Sequence, residues 1–539
     1  MYGETGKSLS NWEIDSSDCA KIDNTRIELG DYQTPIEFAK KICNILKKQG
    51  IEPKYIIEPT CGVGNFIVSG LEVFSPDCVI GVELNKKYCE YARNRVHSPK
   101  VSIVEANFFD YDWANISEDI KDDRTLILGN PPWVNNSTIS TIDGSNLPNK
   151  TNFKGVAGID ALLGGSNFDI SEYIILDLVR NFSKKNVTIA LLCKFIVAKN
   201  VFEELYRTKT KCSYIQCYLF NSKKVFDVSV ESCLFVLDFS TDNKTITECS
   251  VFDVDAPETE LFKFGIKNNK FFSLINDSSS FDGESIFGWR QGVKHDCSKV
   301  MELTMVGDQL CNKNMEPVDI EDTYLYPFVK SSDLKAPIIT SFKRRVIITQ
   351  KKPREETASI KRTAPKTWSY LENNKNLFEN RKSSIYNGVP EYSIFGIGDY
   401  SFMKYKVAIS GLYKKPFFSL VYSEKPVMLD DTCYQIAFEH FTDAYLMMVL
   451  LNSEKVISFI DTISFKASQR PYSKKVLNRI DVQKILNEVS LPEMNAVEFR
   501  LGLEPLINEE IINKFVNRHL RQSRLDYFGY VSNKASPAL

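Results

Sequence analysis

Between Tyr32 and about Ser240 the chain alternates short, uninterrupted apolar runs with stretches of helical period, which restricts the fold more than any other feature of the sequence. The runs YIIEP (55–59), VIGVE (79–83), TLILGN (125–130), TIALLC (188–193) and ESCLFVLDF (231–239) predict strands buried on both faces. Ile36 to Lys47 and Ser171 to Phe182 space their apolar residues along one face of a helix. Buried strands joined by helices make a parallel sheet with helices packed on each side. A doubly wound, Rossmann-like α/β domain is the expected result, and such folds hold ligands at the carboxyl ends of their strands.

A chain of 539 residues is too long for one ordinary domain. The pattern changes at DVDAPETE (253–260), a polar stretch containing a proline; beyond it come irregular segments, many aromatics and separated basic clusters. The expected divisions are an N-terminal arm over 1–30, an α/β domain over 31–254 and a mixed α/β domain over 255–539. The last of these turns helical between about 440 and 527. No run reaches the roughly 18 apolar residues of a membrane span, and the first residues lack a basic-then-apolar leader. A cytoplasmic protein, with no membrane partner, is therefore expected. The 13 cysteines include no CxxC pair and the four histidines do not cluster, so no metal is expected. With 67 basic against 69 acidic residues the surface is not uniformly basic, which still allows local basic patches.

The segment Glu58-Pro-Thr-Cys-Gly-Val-Gly-Asn-Phe66 follows a predicted strand and opens a predicted helix. Gly62 and Gly64 let the backbone turn tightly and approach a ligand, but the Lys-Ser/Thr ending of a phosphate loop is missing. Glu83 ends the next strand, where an acid can bridge a ribose diol. After a third strand, VSIVE, comes ANFFDYDW (106–113), from which a side chain could face the edge of an adenine ring. Three strand ends converging on one crevice indicate a nucleoside-containing ligand. A fourth strand, TLILG, ends in Asn130-Pro131-Pro132-Trp133. Two successive prolines stiffen that backbone and leave its carbonyls free to accept hydrogen bonds.

At this tetrad the sequence resembles the amino-methyltransferases with an (N/D)PP(Y/F/W) motif, specifically the gamma class of DNA adenine-N6 methyltransferases. The order matches that class: YQTPIEFAKKICNIL before the glycine loop, the tetrad after it, a large extra domain last. FDISEY (168–173) and LLCKFIVAK (191–199) also look like the class, and the resemblance covers almost the whole chain. It implies S-adenosylmethionine as cofactor and double-stranded DNA as partner. Thr34, Pro35, Glu58, Pro59, Thr60, Cys61, Gly62 and Gly64 would surround the methionine part, and Glu83 would hold the ribose. Where family members often have an acid facing the adenine amino group this chain has Asn107, followed by Phe108; an amide oxygen can still accept that bond, and Asp110 is a possible substitute. Tyr173 or Ile174 would cover the other adenine face. Asn130 and the Pro131 carbonyl would accept hydrogen bonds from the target amine of an extruded base, with Trp133 and Phe226 against the base. Lys194, at a strand end near the crevice, would contact DNA phosphate or simply be solvated.

In that class the C-terminal domain recognises the target sequence. Residues 343–366 hold nine Lys or Arg against two Glu, beginning at Lys343, Arg344 and Arg345. Lys404, Lys406, Lys414 and Lys415 follow among aromatics, and a third cluster includes Arg470. Such clusters supply the salt-dependent phosphate contacts of a DNA-binding surface. The run 395–421 resembles recognition segments of the class, and Gly396, Gly398 and Gly411 suggest tight turns presenting side chains to a groove. The expected function is modification of adenine in a restriction-modification system, in the nucleoid of a bacterium or archaeon, with any endonuclease on a separate polypeptide. The alternatives are an enzyme of the same motif acting on RNA guanine or protein glutamine, and a non-catalytic DNA-binding subunit with a relic methyltransferase fold.

Overall fold

The computed structural model describes residues 32–120, 123–134, 169–240, 243–274 and 281–532, with side chains as far as 520. The chain divides into two compact units, one ending at Phe271 and one beginning at Phe272.

The first unit is built on a ten-stranded sheet. Its strands are β1 (Tyr55–Glu58), β2 (Cys78–Glu83), β3 (Val101–Glu105), β4 (Thr125–Gly129), β5 (Val187–Lys194), β6 (Tyr214–Asn221), β7 (Glu231–Asp238), β8 (Glu248–Asp253), β9 (Phe262–Lys267) and β10 (Lys270–Phe272). They lie in the order β10-β9-β8-β6-β7-β5-β4-β1-β2-β3. β3, β2, β1, β4 and β5 run parallel, whereas β7 enters antiparallel between β5 and β6. The order reverses between β1 and β4, the place where a doubly wound sheet opens a crevice. Every residue of β4 is buried, and β5 is buried as far as Cys193, as their continuous apolar sequences predict. Helices α1 (Ile36–Lys48), α2 (Asn65–Val73), α3 (Lys86–Arg95), α4 (Trp113–Asp119), α5 (Ile170–Phe182), α6 (Phe195–Arg207) and the short α7 (Ser222–Phe226) connect the strands. α1 shows why an amphipathic sequence docks there: Ala39, Ile42, Cys43, Ile45 and Leu46 form its buried face.

The expected boundary at 254 falls inside this sheet. The proline-containing polar stretch after β8 is a turn, with Ala256 N–H bonded to the Asp253 carbonyl and Thr259 N–H to that of Ala256, both at 3.1 Å. It returns the chain as β9, antiparallel to β8. Polar composition and proline mark tight turns as readily as linkers.

The second unit contains two five-stranded sheets. In one, Tyr405–Ser410 pairs with both Phe418–Val421 and Cys433–Phe438; in the other, Arg344–Ile347 pairs with both Glu302–Val306 and Leu325–Val329. Val407, Ile409, Phe418, Leu420, Ile436 and Phe438 share one core with the helix Phe441–Leu451, which is buried from Asp443 to Leu451. Glycines here allow backbones to touch. A Cβ on Gly396 (φ 67°) would lie 2.1 Å from the Gly292 carbonyl oxygen, and one on Gly411 2.9 Å from that of Thr432. Gly398 is extended (φ 171°). The expected presentation of a groove by these three glycines is thus replaced, at two of them, by close backbone packing. No helix among the described residues is long and apolar enough to cross a membrane. Among them also lies no group of three or more His, Cys, Asp or Glu placed to hold a metal ion. The described cysteines are free thiols.

Candidate active site

β1 delivers Glu58 to the crevice and the chain then turns through Pro59 to Gly64. Gly62 (φ 51°) and Gly64 (φ 79°) occupy the left-handed region, and Gly64 caps the start of α2. A Cβ on Gly62 would sit 2.5 Å from Gln33 Oε1, the atom that accepts the Val63 N–H at 3.2 Å. Glu83, at the end of β2, accepts the Gly62 N–H on Oε2 at 2.8 Å and the Asn85 N–H on Oε1 at 2.7 Å. It therefore fixes the glycine turn.

These strand ends enclose a cavity of about 390 Å³. Of the residues expected to bind cofactor, Thr34, Glu58, Pro59, Thr60, Cys61, Gly62, Glu83, Asn107, Phe108 and Asn130 line it, whereas Pro35, Gly64 and Tyr173 do not. The Tyr173 ring instead meets Phe109 edge-on, with centroids 5.4 Å apart. Ile174 takes the wall position, and its neighbour on the same helix face, Ile170, lines the cavity as well. The helical period decides between adjacent residues, and the sequence alone does not fix its phase here. Asn107 Oδ1 accepts the Phe109 N–H at 3.1 Å, and its amide nitrogen donates to Asp110 Oδ2 at 3.2 Å. Asp110 is thus a partner of Asn107 and lies off the wall. Tyr32 and Gln33, which open the YQTP run, also line the cavity, as do Leu84, Asn85 and Tyr88, which belong to none of the sequence motifs. Leu84 is 52% exposed, and a leucine directly after the acid that ends β2 was the available signal.

The cavity wall is short of hydrogen-bond partners. Thr34 Oγ1, Thr60 Oγ1, Glu58 Oε2 and Asn130 Oδ1 are buried with none among the described residues. Burial pushes the Glu58 carboxyl well above the usual range, with the Glu83 charge adding to it and the Ile67 backbone opposing it. Buried polar atoms left unmatched cost stability, so their convergence in one cavity indicates a ligand that brings partners.

Asn130 follows Gly129 at the end of β4, where a Cβ on Gly129 would meet Glu58 Cγ at 3.3 Å. The Asn130 amide donates to the Tyr32 carbonyl at 2.8 Å. Pro132 lines the cavity; Pro131 and Trp133 do not. Trp133 is 5% exposed and donates through Nε1 to the Leu192 carbonyl at 3.3 Å. Its ring meets Phe226 edge-on at 5.3 Å, and the Tyr32 ring lies 6.2 Å from each. The aromatic pair expected against a base is therefore brought together beside the cavity, closed upon itself with Tyr32. Lys194 is not free for phosphate: its ammonium pairs with Asp169 Oδ2 at 2.7 Å. Asp169 in turn caps α5 by accepting the Ser171 N–H at 3.0 Å, and the Ile170 N–H bonds the Val134 carbonyl at 2.9 Å, tying the helix to the tetrad.

In the second unit Lys343, Lys404 and Lys415 are exposed, the Lys404 ammonium lying 5.5 Å from the Tyr405 ring centre. The other expected DNA contacts are engaged within the fold. Arg344 bonds both Asp333 oxygens at 2.7 Å, and Arg345 donates to the Phe342 carbonyl at 2.9 Å. Lys414 donates to the Ser468 carbonyl at 3.1 Å, and Arg470 to the Asp431 carbonyl at 2.9 Å. Lys406 is 0% exposed, because its strand is paired on both edges and buried on both faces from Lys406 to Ser410, and it donates to the Met403 carbonyl at 2.7 Å. It is not a surface cation.

No family model matches the chain. The chain is 38% identical over 472 residues to the type II methyltransferase M.NspV of a Nostoc species, covering 86% of this chain and 98% of that protein. A shorter match, 38% identical over 87 residues, joins 16% of the chain to 20% of the type II methyltransferase M.CvrRI of Paramecium bursaria Chlorella virus XZ-6E. Among solved structures, the type IIL restriction-modification enzyme MmeI, determined in complex with DNA, matches with a TM-score of 0.50. That match has 13% identity and spans 86% of this chain and 67% of MmeI, a likeness of fold.

Proposed function

The chain belongs to the type II methyltransferases of restriction-modification systems, and from that membership we propose that it methylates N6 of an adenine turned out of duplex DNA, using S-adenosylmethionine. The observation that carries the reading is the buried Asn130 Oδ1, unpartnered among the described residues, on the wall of the strand-end cavity. An acceptor with no donor suits an amine, and the exocyclic amine of adenine needs such help. Its lone pair is delocalised into the ring; accepting its hydrogens on Asn130 Oδ1 and the Pro131 carbonyl turns the nitrogen towards tetrahedral geometry and aims the lone pair. Bound S-adenosylmethionine supplies the electrophilic methyl group. Held in the cavity, it would give that methyl to the nitrogen whose lone pair Asn130 and Pro131 aim, and the proton the amine loses would pass to solvent.

The chain's own residues fit that cofactor. Glu58 Oε2 and the hydroxyls of Thr34 and Thr60 offer acceptors to the methionine ammonium, and Glu83 stands where an acid can hold the ribose. Ile174 and Leu84 offer apolar surface to the purine faces, and Asn107 lies at its edge. Extrusion of the target base costs on the order of a few kcal/mol, offset by contacts with Trp133, Phe226 and Tyr32 once the aromatic cluster opens. The exposed lysines Lys343, Lys404 and Lys415 give the second unit the cations of a target recognition domain, with a cognate endonuclease as a separate chain.

The test is transfer of labelled methyl to duplex DNA, RNA and protein acceptors side by side, followed by nucleoside analysis. N6-methyladenine in DNA is the expected product. Label in RNA guanine or protein glutamine, or no transfer to any acceptor, would contradict the proposal and favour the same motif on another acceptor or a non-catalytic subunit.

A further inference from the structure

An asparagine side chain offers one donor end and one acceptor end, so a catalytic site that needs only the acceptor must dispose of the donor. Here the Asn130 nitrogen is taken by the Tyr32 carbonyl at 2.8 Å, and Oδ1 is left buried without a partner among the described residues. The reversed amide would set two oxygens face to face with no proton between them. The group that imposes this choice lies 98 residues away in sequence, outside the tetrad.

We infer that the Tyr32 main-chain carbonyl is a positioning group for methyl transfer, and that it makes position 130 of this chain specific for asparagine over aspartate. The inference rests on the adenine-N6 reading, since it takes an amine to be what the free oxygen receives. Its consequence is chemical. An aspartate in this place would carry two acceptors, one of them pointed at the Tyr32 carbonyl oxygen. The titratable groups that share the cavity wall with it include Glu58 from β1, Glu83 from β2 and the phenols of Tyr32 and Tyr88; off that wall, Lys194 pairs with Asp169 and Lys223 with Asp227. The acids on the cavity wall oppose a further negative charge, and both cations named are already paired. Burial opposes the charge as well. The protonated acid, in contrast, reproduces asparagine: its O–H donates to the Tyr32 carbonyl and its other oxygen faces the amine. The aspartate variant should therefore be rescued by acid, because its carboxyl titrates far above the ordinary Asp value of about 3.9.

The experiment compares the full-length wild type with Asn130→Asp and Asn130→Ala at about pH 8 and about pH 6, reading both methyl transfer to duplex DNA and thermal unfolding. At the higher pH, Asn130→Asp should transfer methyl about a hundredfold more slowly than wild type, the scale of removing one preorganised hydrogen bond. At the lower pH, about two units down, that deficit should shrink by between about tenfold and about a hundredfold, since the protonated fraction grows about tenfold for each pH unit above the carboxyl's pKa. Asn130→Ala should stay equally slow at both. The melting temperature of Asn130→Asp should lie below that of the wild type at the higher pH and return towards it at the lower. Full activity of Asn130→Asp at the higher pH, or a deficit in rate and melting that does not change with pH, would overturn the inference. Should the wild type itself leave adenine unmodified, the functional reading fails, while the melting comparison still decides the Tyr32 contact: a pH-independent difference sinks it.

Discussion

Inside the strand Tyr405–Ser410, the Lys406 ammonium donates to the Met403 carbonyl, and its side chain is 0% exposed. Desolvation lowers its pKa to about 7. The unfolded chain holds that proton up to about pH 10.4. Between those values the unfolded state binds the extra proton, so this group's contribution to stability rises with pH; below about pH 7 both states are protonated and the contribution is flat. Lys406→Met should therefore abolish a rise in unfolding free energy between about pH 7 and pH 10, read as the wild-type-minus-variant difference in denaturant titrations. A difference that does not vary with pH would show the lysine to be solvated. Residue type made Lys406 look like a DNA contact, whereas its strand is buried on both faces. Asn130, Glu58, Glu83 and Gly62 were legible because each is tied to a strand end by a motif. The wall positions of Tyr32 and Gln33 were not, although both stand in the YQTP run, and neither was Leu84, since an exposed leucine carries no such mark until the strand ends converge. Trp133 lies deeper than its motif suggested because its indole N–H finds a backbone carbonyl in β5.

Helix α5 forms part of the cavity wall through Ile170 and Ile174, and its start is fixed by one side chain. Asp169 accepts the Ser171 N–H and also pairs with Lys194 from the end of β5. Removing a cap of this kind costs about 1 kcal/mol. Asp169→Ala should lower stability by about that amount, or somewhat more as the ion pair goes with it, and should also weaken S-adenosylmethionine binding in calorimetry. Asp481, which caps the helix Val482–Glu488 in the second unit and is not among the cavity-lining residues, provides the control. Asp481→Ala should cost similar stability and leave cofactor affinity unchanged; equal effects of the two on affinity would count against the wall role of α5. The parallel strands were legible at this scale because burial on both faces writes itself as unbroken apolar sequence. The extension through β8 to β10 was not, because the turn that returns β9 antiparallel to β8 has the composition of a linker.

Across the whole molecule, charge is balanced, 67 basic against 69 acidic residues, so attraction to DNA must come from local cations. Many basic residues that form clusters in sequence are spent on internal pairs, as Arg344 is on Asp333 and Arg470 on Asp431. Exposed Lys343, Lys404 and Lys415 remain candidates. Removing one cation that neutralises a phosphate should reduce the slope of log affinity against log salt by about 0.9, so the triple alanine variant should flatten it by up to about 2.7. An unchanged slope would place DNA elsewhere on the surface. The central claim, that Asn130 receives the amine of an adenine in DNA, is tested most directly by sequencing the genome of cells expressing the protein with detection of modified adenines. The wild type should mark adenine within a defined sequence, and Asn130→Ala should erase the mark while the purified variant still binds S-adenosylmethionine. Persistence of the mark in Asn130→Ala, or its absence with the wild type, would contradict the account.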